Sequence, residues 1–543
     1  MKLFRKGLIL AHRYLGIPLS ALFVVWFASG IVMMYAGGMP RLTPELRLER
    51  LPALDVSAVR LTPAEAAERA ALPRAPGRAT LLTLMDRPAY RLGGATIFAD
   101  TGEPLDDIGL EGARAVAGRF TGLPEDRLQY LRTLRRADQW TLTAGRQGPL
   151  HKFGVDDGAG TELYVSPQGA EVTVLTTRRS RALAWIGTIP HWFYFSALRS
   201  NQPLWYRVVV WTSTLGCVLA VLGLVLGVTQ FRWRRPTGEG RGTTPGRIPY
   251  AGWMRWHYIT GVVFGVFTLT WVFSGLLSME PYEWTNARGL EVGRDVFSGG
   301  PLDLAEFPVM DAEAWRRLTG GRAIKEVDFT RIQDEPYYVV RVAAEPAEAM
   351  EAERLHQPYY ITGRRAPERL LVSADTLTVR DEPFSTDSLL ARLEAAAPDV
   401  PVVETKLLRE YDSYYYSRGG QTPLPVLRVK FADPAETWFY IDPDMSQLLG
   451  TVHRYNRVER WLFNGLHSLD FAFWYNKRPL WDIGMIALSL GGLASSGIGL
   501  WVGCKRMRRW FARRLPARAS GSPAGTDAVA AGRESDATAR SRI

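Results

Sequence analysis

Four runs of apolar residues, 8–36, 204–230, 257–279 and 480–503, interrupt an otherwise polar chain of 543 residues. At about 1.5 Å of rise per helical residue, each run is long enough to cross a hydrocarbon core of about 30 Å. Four transmembrane helices are expected, and the mean hydropathy of −0.09 conceals them because the remainder is polar. The first run far exceeds the roughly 7–15 apolar residues of a signal peptide and recurs inside the chain, so it reads as a retained span.

The recurrence is specific. His12 to Gly30, H-R-Y-L-G-I-P-L-S-A-L-F-V-V-W-F-A-S-G, returns as His257 to Gly275, H-Y-I-T-G-V-V-F-G-V-F-T-L-T-W-V-F-S-G. A shift of 245 residues aligns His12 with His257, Gly16 with Gly261, Trp26 with Trp271 and Ser29 with Ser274. A second shift, of 276 residues, carries His191 onto His467, Trp185 onto Trp461, Trp205 onto Trp481 and Gly223 onto Gly499. The chain reads as a tandem duplication of two spans each.

Arginine and lysine flank the spans on one side: M-K-L-F-R-K at the start, F-R-W-R-R-P-T-G-E-G-R-G in the middle, C-K-R-M-R-R-W-F-A-R-R at the end. The positive-inside rule makes these pieces and both termini cytoplasmic, and puts the two long intervening segments outside, as in a bacterial inner membrane with periplasmic domains. The net charge of +11 is concentrated in those flanks, where anionic lipid is the natural counterion, so no nucleic-acid partner is implied. Only two cysteines occur, Cys217 and Cys504, both in or at the end of spans, which excludes disulfides and thiolate metal sites from the outer segments.

The resulting division is 1–37 flank and first span; 38–190 first outer segment; 191–231 interfacial stretch and second span; 232–256 cytoplasmic loop; 257–279 third span; 280–466 second outer segment; 467–503 interfacial stretch and fourth span; 504–543 basic tail, expected to be disordered. Within the first outer segment, Met39 to Ala53 reads as a connector, L-T-P-A-E-A-A-E-R-A-A as a short capped helix, and A-T-L-L-T-L-M, P-A-Y-R-L and A-T-I-F-A-D-T-G-E-P-L as strands. A helix near 111–121 and strands near 139–144 and 161–174 follow. The second segment repeats the plan, with helices near 311–318 and 386–397 and strands near 327–329, 337–342 and 369–372, then L-P-V-L-R-V-K-F and T-W-F-Y-I-D-P. Two small α+β modules are expected in each segment.

The helix followed by strands ending in D-T-G-E-P-L resembles a PepSY module. The spans opening H-R-Y-L-G and W-H-Y-I-T-G, with R-W-L-F-N-G-L-H-S-L-D-F-A-F-W-Y and R-P-L-W-D before the last, resemble the PepSY-associated transmembrane family over residues 1–510. The resemblance implies two periplasmic segments built of PepSY-like modules. It also implies kinship with inner-membrane ferric-siderophore reductases that carry two b-type haems. No flavodoxin-like or ferredoxin-reductase-like piece follows the last span, so no flavin or NAD(P) module is expected.

Of seven histidines, four form the register-matched set, and level in the membrane couples His12 with His257 and His191 with His467, with other pairings open if the aromatic segments around His191 and His467 dip inward. Neutral imidazole suits haem iron, zinc and copper alike. Two histidines in a greasy, aromatic setting without carboxylate or thiolate favour haem over zinc, which usually takes four ligands. Arg178 and Arg181, matched by Arg454 and Arg457, are candidates to neutralise haem propionates, with a solvated juxtamembrane cluster as the alternative. Trp26, Trp271, Trp205 and Trp481 read as an aromatic belt, with haem contact as the sharper alternative. His151, His356 and His453 have no counterpart and read as surface residues.

The expected activity is transfer of electrons across the membrane, from an unidentified cytoplasmic or membrane donor to a periplasmic acceptor that resemblance suggests is a ferric siderophore. The rival is a non-redox PepSY membrane protein that binds or regulates periplasmic peptidases or an envelope partner. A metal transporter is disfavoured because no acidic residue lies deep in a span.

Overall fold

The computed structural model of the protein describes residues 2–142, 148–233, 247–281, 289–343, 369–417 and 422–514. His356 and the tail beyond residue 514 lie outside the described residues. Four long helices form where the apolar runs predict them: Lys2–Ala36, Gln202–Gln230, Gly252–Leu277 and Leu480–Arg514. All four are long and apolar enough to cross a membrane. The second starts on Asn201, whose side chain accepts from the Leu204 amide, with proline in the first turn, where its missing N–H costs nothing.

The first helix packs against the second and fourth, and the third against the same two, so the first and third stand diagonally across a four-helix bundle. Glycines allow the close approaches: a Cβ on Gly492 would fall 2.4 Å from the Phe27 ring, and one on Gly216 would fall 2.9 Å from Val272. Phe27 and Val272 occupy matched positions in the two repeats, as do Gly216 and Gly492. Small residues at helix contacts are how apolar helices pack where lipid supplies no hydrophobic drive.

Outside the bundle lie fourteen described strands: β1 (Ala79–Leu84), β2 (Arg87–Leu92), β3 (Ala95–Phe98), β4 (Leu128–Leu134), β5 (Leu150–Val155), β6 (Glu162–Ser166), β7 (Glu171–Thr176), β8 (Ile324–Ile332), β9 (Glu335–Val342), β10 (Arg369–Ser373), β11 (Val402–Leu408), β12 (Val426–Phe431), β13 (Trp438–Asp442) and β14 (Gln447–Val452). They make three antiparallel sheets. Two have four strands, β4-β5-β6-β7 and β11-β12-β13-β14, and correspond strand for strand. In each, a fully buried tyrosine on the third strand donates to a carboxylate that also faces a cation on the second strand: Tyr164 to Asp138 with Lys152, and Tyr440 to Asp412 with Arg428.

The third sheet departs from the expectation of separate modules. Its order is β10-β9-β8-β1-β2-β3, so strands of both extramembrane segments share it, with β1 antiparallel to β8 through Ala79↔Phe329 and Leu82↔Glu326. One core lies beneath, in which Trp315, Phe307, Phe329, Tyr338 and Tyr90 pack together.

Two local expectations are corrected. The connector Met39 to Ala53 contains a helix, Pro44–Arg50, capped by the Thr43 hydroxyl accepting from Leu46; Thr-Pro-Glu was its signal. Residues 139–142 form no strand, because the Asp138 carboxylate accepts from the Trp140 and Thr141 amides and folds a turn there. The remainder of that expected strand lies outside the described residues.

Candidate functional site

The four matched histidines come together as two pairs. His12 and His257, on the diagonal helices at the bundle end away from the sheets, have ring centres 6.3 Å apart and planes inclined by 32°. His191 and His467, at the end toward the sheets, have ring centres 6.2 Å apart and planes inclined by 77°.

The sheet-proximal pair sits on short helices, Thr188–Trp192 and Leu466–Ser468, wedged against the bundle. Each helix ends two residues past its histidine in a left-handed residue, Phe193 (φ 54°) and Leu469 (φ 48°). Bulky residues adopt that conformation only under tertiary constraint, and such strain gathers at functional sites. The helix carrying His467 follows a turn of π-helix at Trp461–Gly465, another feature frequent at such sites. The indole N–H of Trp205 donates to the Trp192 carbonyl, and that of Trp481 to the Ser468 carbonyl, pinning the residue after each histidine to the next long helix.

Hydrogen bonds orient the rings. His191 Nδ1 lies 3.1 Å from Ser29 Oγ and 3.2 Å from the Trp26 carbonyl; His467 Nδ1 lies 3.0 Å from Ser274 Oγ and 3.2 Å from the Trp271 carbonyl. His257 Nδ1 lies 3.1 Å from the Ser495 carbonyl. His12 Nδ1 faces the matched Leu219 carbonyl but outside hydrogen-bonding geometry. A carbonyl acceptor puts the proton on Nδ1 and leaves Nε2 as the nitrogen with a free lone pair, the arrangement that orients a metal-binding imidazole.

Space is reserved beside the rings. A Cβ on Gly223 would come within 3.0 Å of His12 Cε1, and one on the matched Gly499 within 3.0 Å of His257 Cε1. A cavity of about 250 Å³ adjoins this pair and is lined by glycines at 16, 223, 227, 261, 265, 499 and 503. Beside the other pair, the indole nitrogens of Trp26 and Trp271 are buried with no hydrogen-bond partner among the described residues.

The spacing can be tested against a metal. An imidazole nitrogen binds a first-row metal at about 2.0–2.1 Å and lies about 1.1 Å from its ring centre, so two ligands on opposite sides put ring centres about 6.3 Å apart. Both pairs meet that figure. Among the described residues no group of three His, Cys, Asp or Glu side chains could hold a metal ion, so a metal at either level would take two imidazoles from the described residues. At this separation each pair could hold a metal whose other four donors come from a planar macrocycle.

Seventeen residues separate His12 from Ser29, and equally His257 from Ser274, about 25 Å of helix between the two levels. Aromatic rings occupy the interval. Phe23 stacks on Trp26 at 6.0 Å, Phe27 meets Trp271 at 5.7 Å, and Trp26 meets Phe193 at 5.9 Å. Trp271 and Trp481 are therefore not belt residues: they are 9% and 5% exposed and serve the interior. Surface-exposed tryptophans are found instead at 211, 253, 256 and 501.

Two of the four arginines expected beside the histidines are engaged elsewhere. Arg181 donates to Thr176 Oγ1 and the Gly160 carbonyl and faces Glu162. Its counterpart Arg457 donates to the carbonyl and carboxylate of Glu436 and lies 4.3 Å over the Trp438 ring. Both tie a sheet to the helix leading into the bundle. Arg178 and Arg454 are exposed at the first turn of those helices.

His453 is buried rather than on the surface, at the N-cap position that Thr177 holds in the first half. Burial and Arg457 push its imidazole below the ordinary value, against the pull of Asp433. His151 is half-buried and bonds Thr133 across two strands.

Sequence reasoning missed the serines as ring anchors, although Ser29 and Ser274 align in the repeat. Ser274→Ala removes one acceptor from His467 and is expected to weaken retention of a ligand on that pair about tenfold, with the Trp271 carbonyl limiting the loss. The rate of ligand release from the purified variant measures this.

Four apolar spans joined to α+β sheets define a multi-pass membrane protein. Residues 9–313, more than half of the chain, match the family described as PepSY-associated TM region, and the chain belongs to it. No curated protein matches the chain.

Proposed function

We propose that the protein is a dihaem oxidoreductase of a bacterial inner membrane that passes electrons from a cytoplasmic-side donor to a periplasmic acceptor, a ferric siderophore. The observation that carries this reading is the pair of adjacent histidines at each end of the bundle, with ring centres 6.3 and 6.2 Å apart. His12 with His257 and His191 with His467 would hold the two haems. When bound, b-type haem supplies reversible one-electron chemistry at its iron. The chain's own residues orient the imidazoles, exclude water and fill the interval with aromatic rings.

The basic ends of the long helices support cytoplasmic termini and periplasmic sheets. Tandem duplication is supported by matched contacts at Ser29 and Ser274, Gly223 and Gly499, and Trp205 and Trp481. Reduction of a ferric chelate at the periplasmic side would release iron as the more weakly held Fe(II). That acceptor rests on the resemblance.

The test is a dithionite-reduced minus oxidised visible spectrum of the detergent-purified protein, with haem quantified. Two haems per chain, reoxidised by a ferric hydroxamate, are expected. A protein that stays colourless after haem supplementation would sink the redox reading and leave a role in binding envelope partners.

A further inference from the structure

The cavity at the sheet-distal pair is equipped for more than an apolar plate. Its lining includes Arg13, Arg506 and Gln230 and, among the described residues, no aspartate or glutamate. Gln230 is 7% exposed, and its Oε1 accepts from Arg5 at 2.5 Å. That bond fixes which way the amide points. Its Nε2 is then a buried donor with no partner among the described residues. Neither Arg13 nor Arg506 has an ion-pair partner among the described residues. Positions 230 and 506 correspond in the two repeats, as do Arg13 and Tyr258, whose hydroxyl donates to the Gly227 carbonyl.

Buried donors in native proteins are satisfied, and an orphan amide beside two unpaired guanidiniums calls for an anion with several acceptor oxygens. Arg506 is exposed, but Arg13 is half-buried in this lining, and a charge so placed also needs its counterion close by. The ligand read for this cavity brings such oxygens, since a b-type haem carries two carboxylates on one edge.

Resting on the haem reading of His12 and His257, we propose that Arg13, Gln230 and Arg506 form the clamp for the haem carboxylates at the sheet-distal site. The clamp takes the role that the sequence suggested for Arg178, Arg181, Arg454 and Arg457, but at the opposite end of the bundle. An anionic lipid headgroup carries the same kind of oxygen and could reach Arg506 from the leaflet, so the experiment separates the two sources.

The experiment uses the full chain in a His467→Ala background, in which only the sheet-distal site loads. The purified protein is reconstituted with haem b or with its dimethyl ester, and the rate of release to a haem scavenger is followed. The ester is expected to leave about tenfold faster than the free acid. Arg13→Gln with Arg506→Gln, or Gln230→Leu alone, should speed loss of the free acid by a similar factor and leave the ester's rate unchanged.

Equal release of acid and ester from the unmodified clamp overturns the proposal, and needs no variant to fold. So does a variant that speeds both equally, which would mark a packing defect. Loss of co-purifying anionic lipid from the variants with haem release unchanged assigns the residues to lipid and likewise overturns it. A parent that takes up no haem removes the underlying reading as well, and is recognised before any clamp variant is made.

Discussion

His12→Ala is expected to carry one haem per chain where the parent carries two, and His467→Ala likewise; the double variant His12→Ala/His467→Ala should carry none. The decisive variant is His12→Ala/His257→Ala. With ring centres at 6.3 and 6.2 Å, each proposed haem would belong to one level, so removing both sheet-distal imidazoles would leave the sheet-proximal site whole. That double variant should retain one haem with unshifted bands. If pairing ran between levels, the same variant would lose both. Pyridine haemochrome quantification and low-temperature spectra of the two doubles separate the cases. The differing ring inclinations, 32° and 77°, further predict two distinct low-spin EPR signals, one lost with each level.

Much of this was legible because hydrophobic length and repetition are local signals. The spans were readable from composition, and the histidine couples from a matched register plus the side of the membrane at which each helix starts. What stayed hidden depends on contacts that leave no periodic trace. The β1–β8 seam joins residues some 245 positions apart, and nothing in either strand's alternation names its partner. Asp138 and Asp412 play one role in the two small sheets but sit 274 residues apart, not 276, so a rigid shift passes over them. Arg181 and Arg457 were misread because they precede the histidines in sequence. In space the turn of helix between points them back at the strand ends, where backbone carbonyls take their donors. Trp271 and Trp481 looked like belt residues because position along a span is visible in sequence, whereas the face they occupy on the helix is not.

The seam itself yields the second large effect. Glu326, on β8, is 4% exposed and accepts at 2.9 Å from both Arg47 of the first extramembrane segment and Arg341 of β9. Arg341 also bonds Asp328, which accepts from Thr80 on β1. Removing one member of a buried ion pair leaves the partner's charge uncompensated, at a cost of about 3–5 kcal/mol. Glu326→Leu is expected near the lower figure, because Arg47 keeps Glu171 and Arg341 keeps Asp328. Glu326→Leu with Arg47→Met should cost less than the two single changes summed, since no orphaned cation remains on the first segment. Thermal unfolding followed by near-ultraviolet circular dichroism, where the buried Trp315 and its aromatic neighbours report on this core, is the measurement. Acid should mimic the loss. Burial pushes the Asp328 carboxyl up, but Arg341, Thr80 and Arg78 outweigh it and hold the group below the ordinary carboxylate range. A carboxyl depressed in the folded state contributes its full stability above its unfolded pKa of about 3.9 and loses it as pH falls through the folded value. The sheet shared by the two segments should therefore melt at lower temperature below about pH 4, while the bundle, whose Asp482–Arg478 pair lies at the very start of the fourth long helix, is expected to keep its spectrum to lower pH. Coincident loss of both would mean instead that the shared sheet is what holds the two halves of the bundle together.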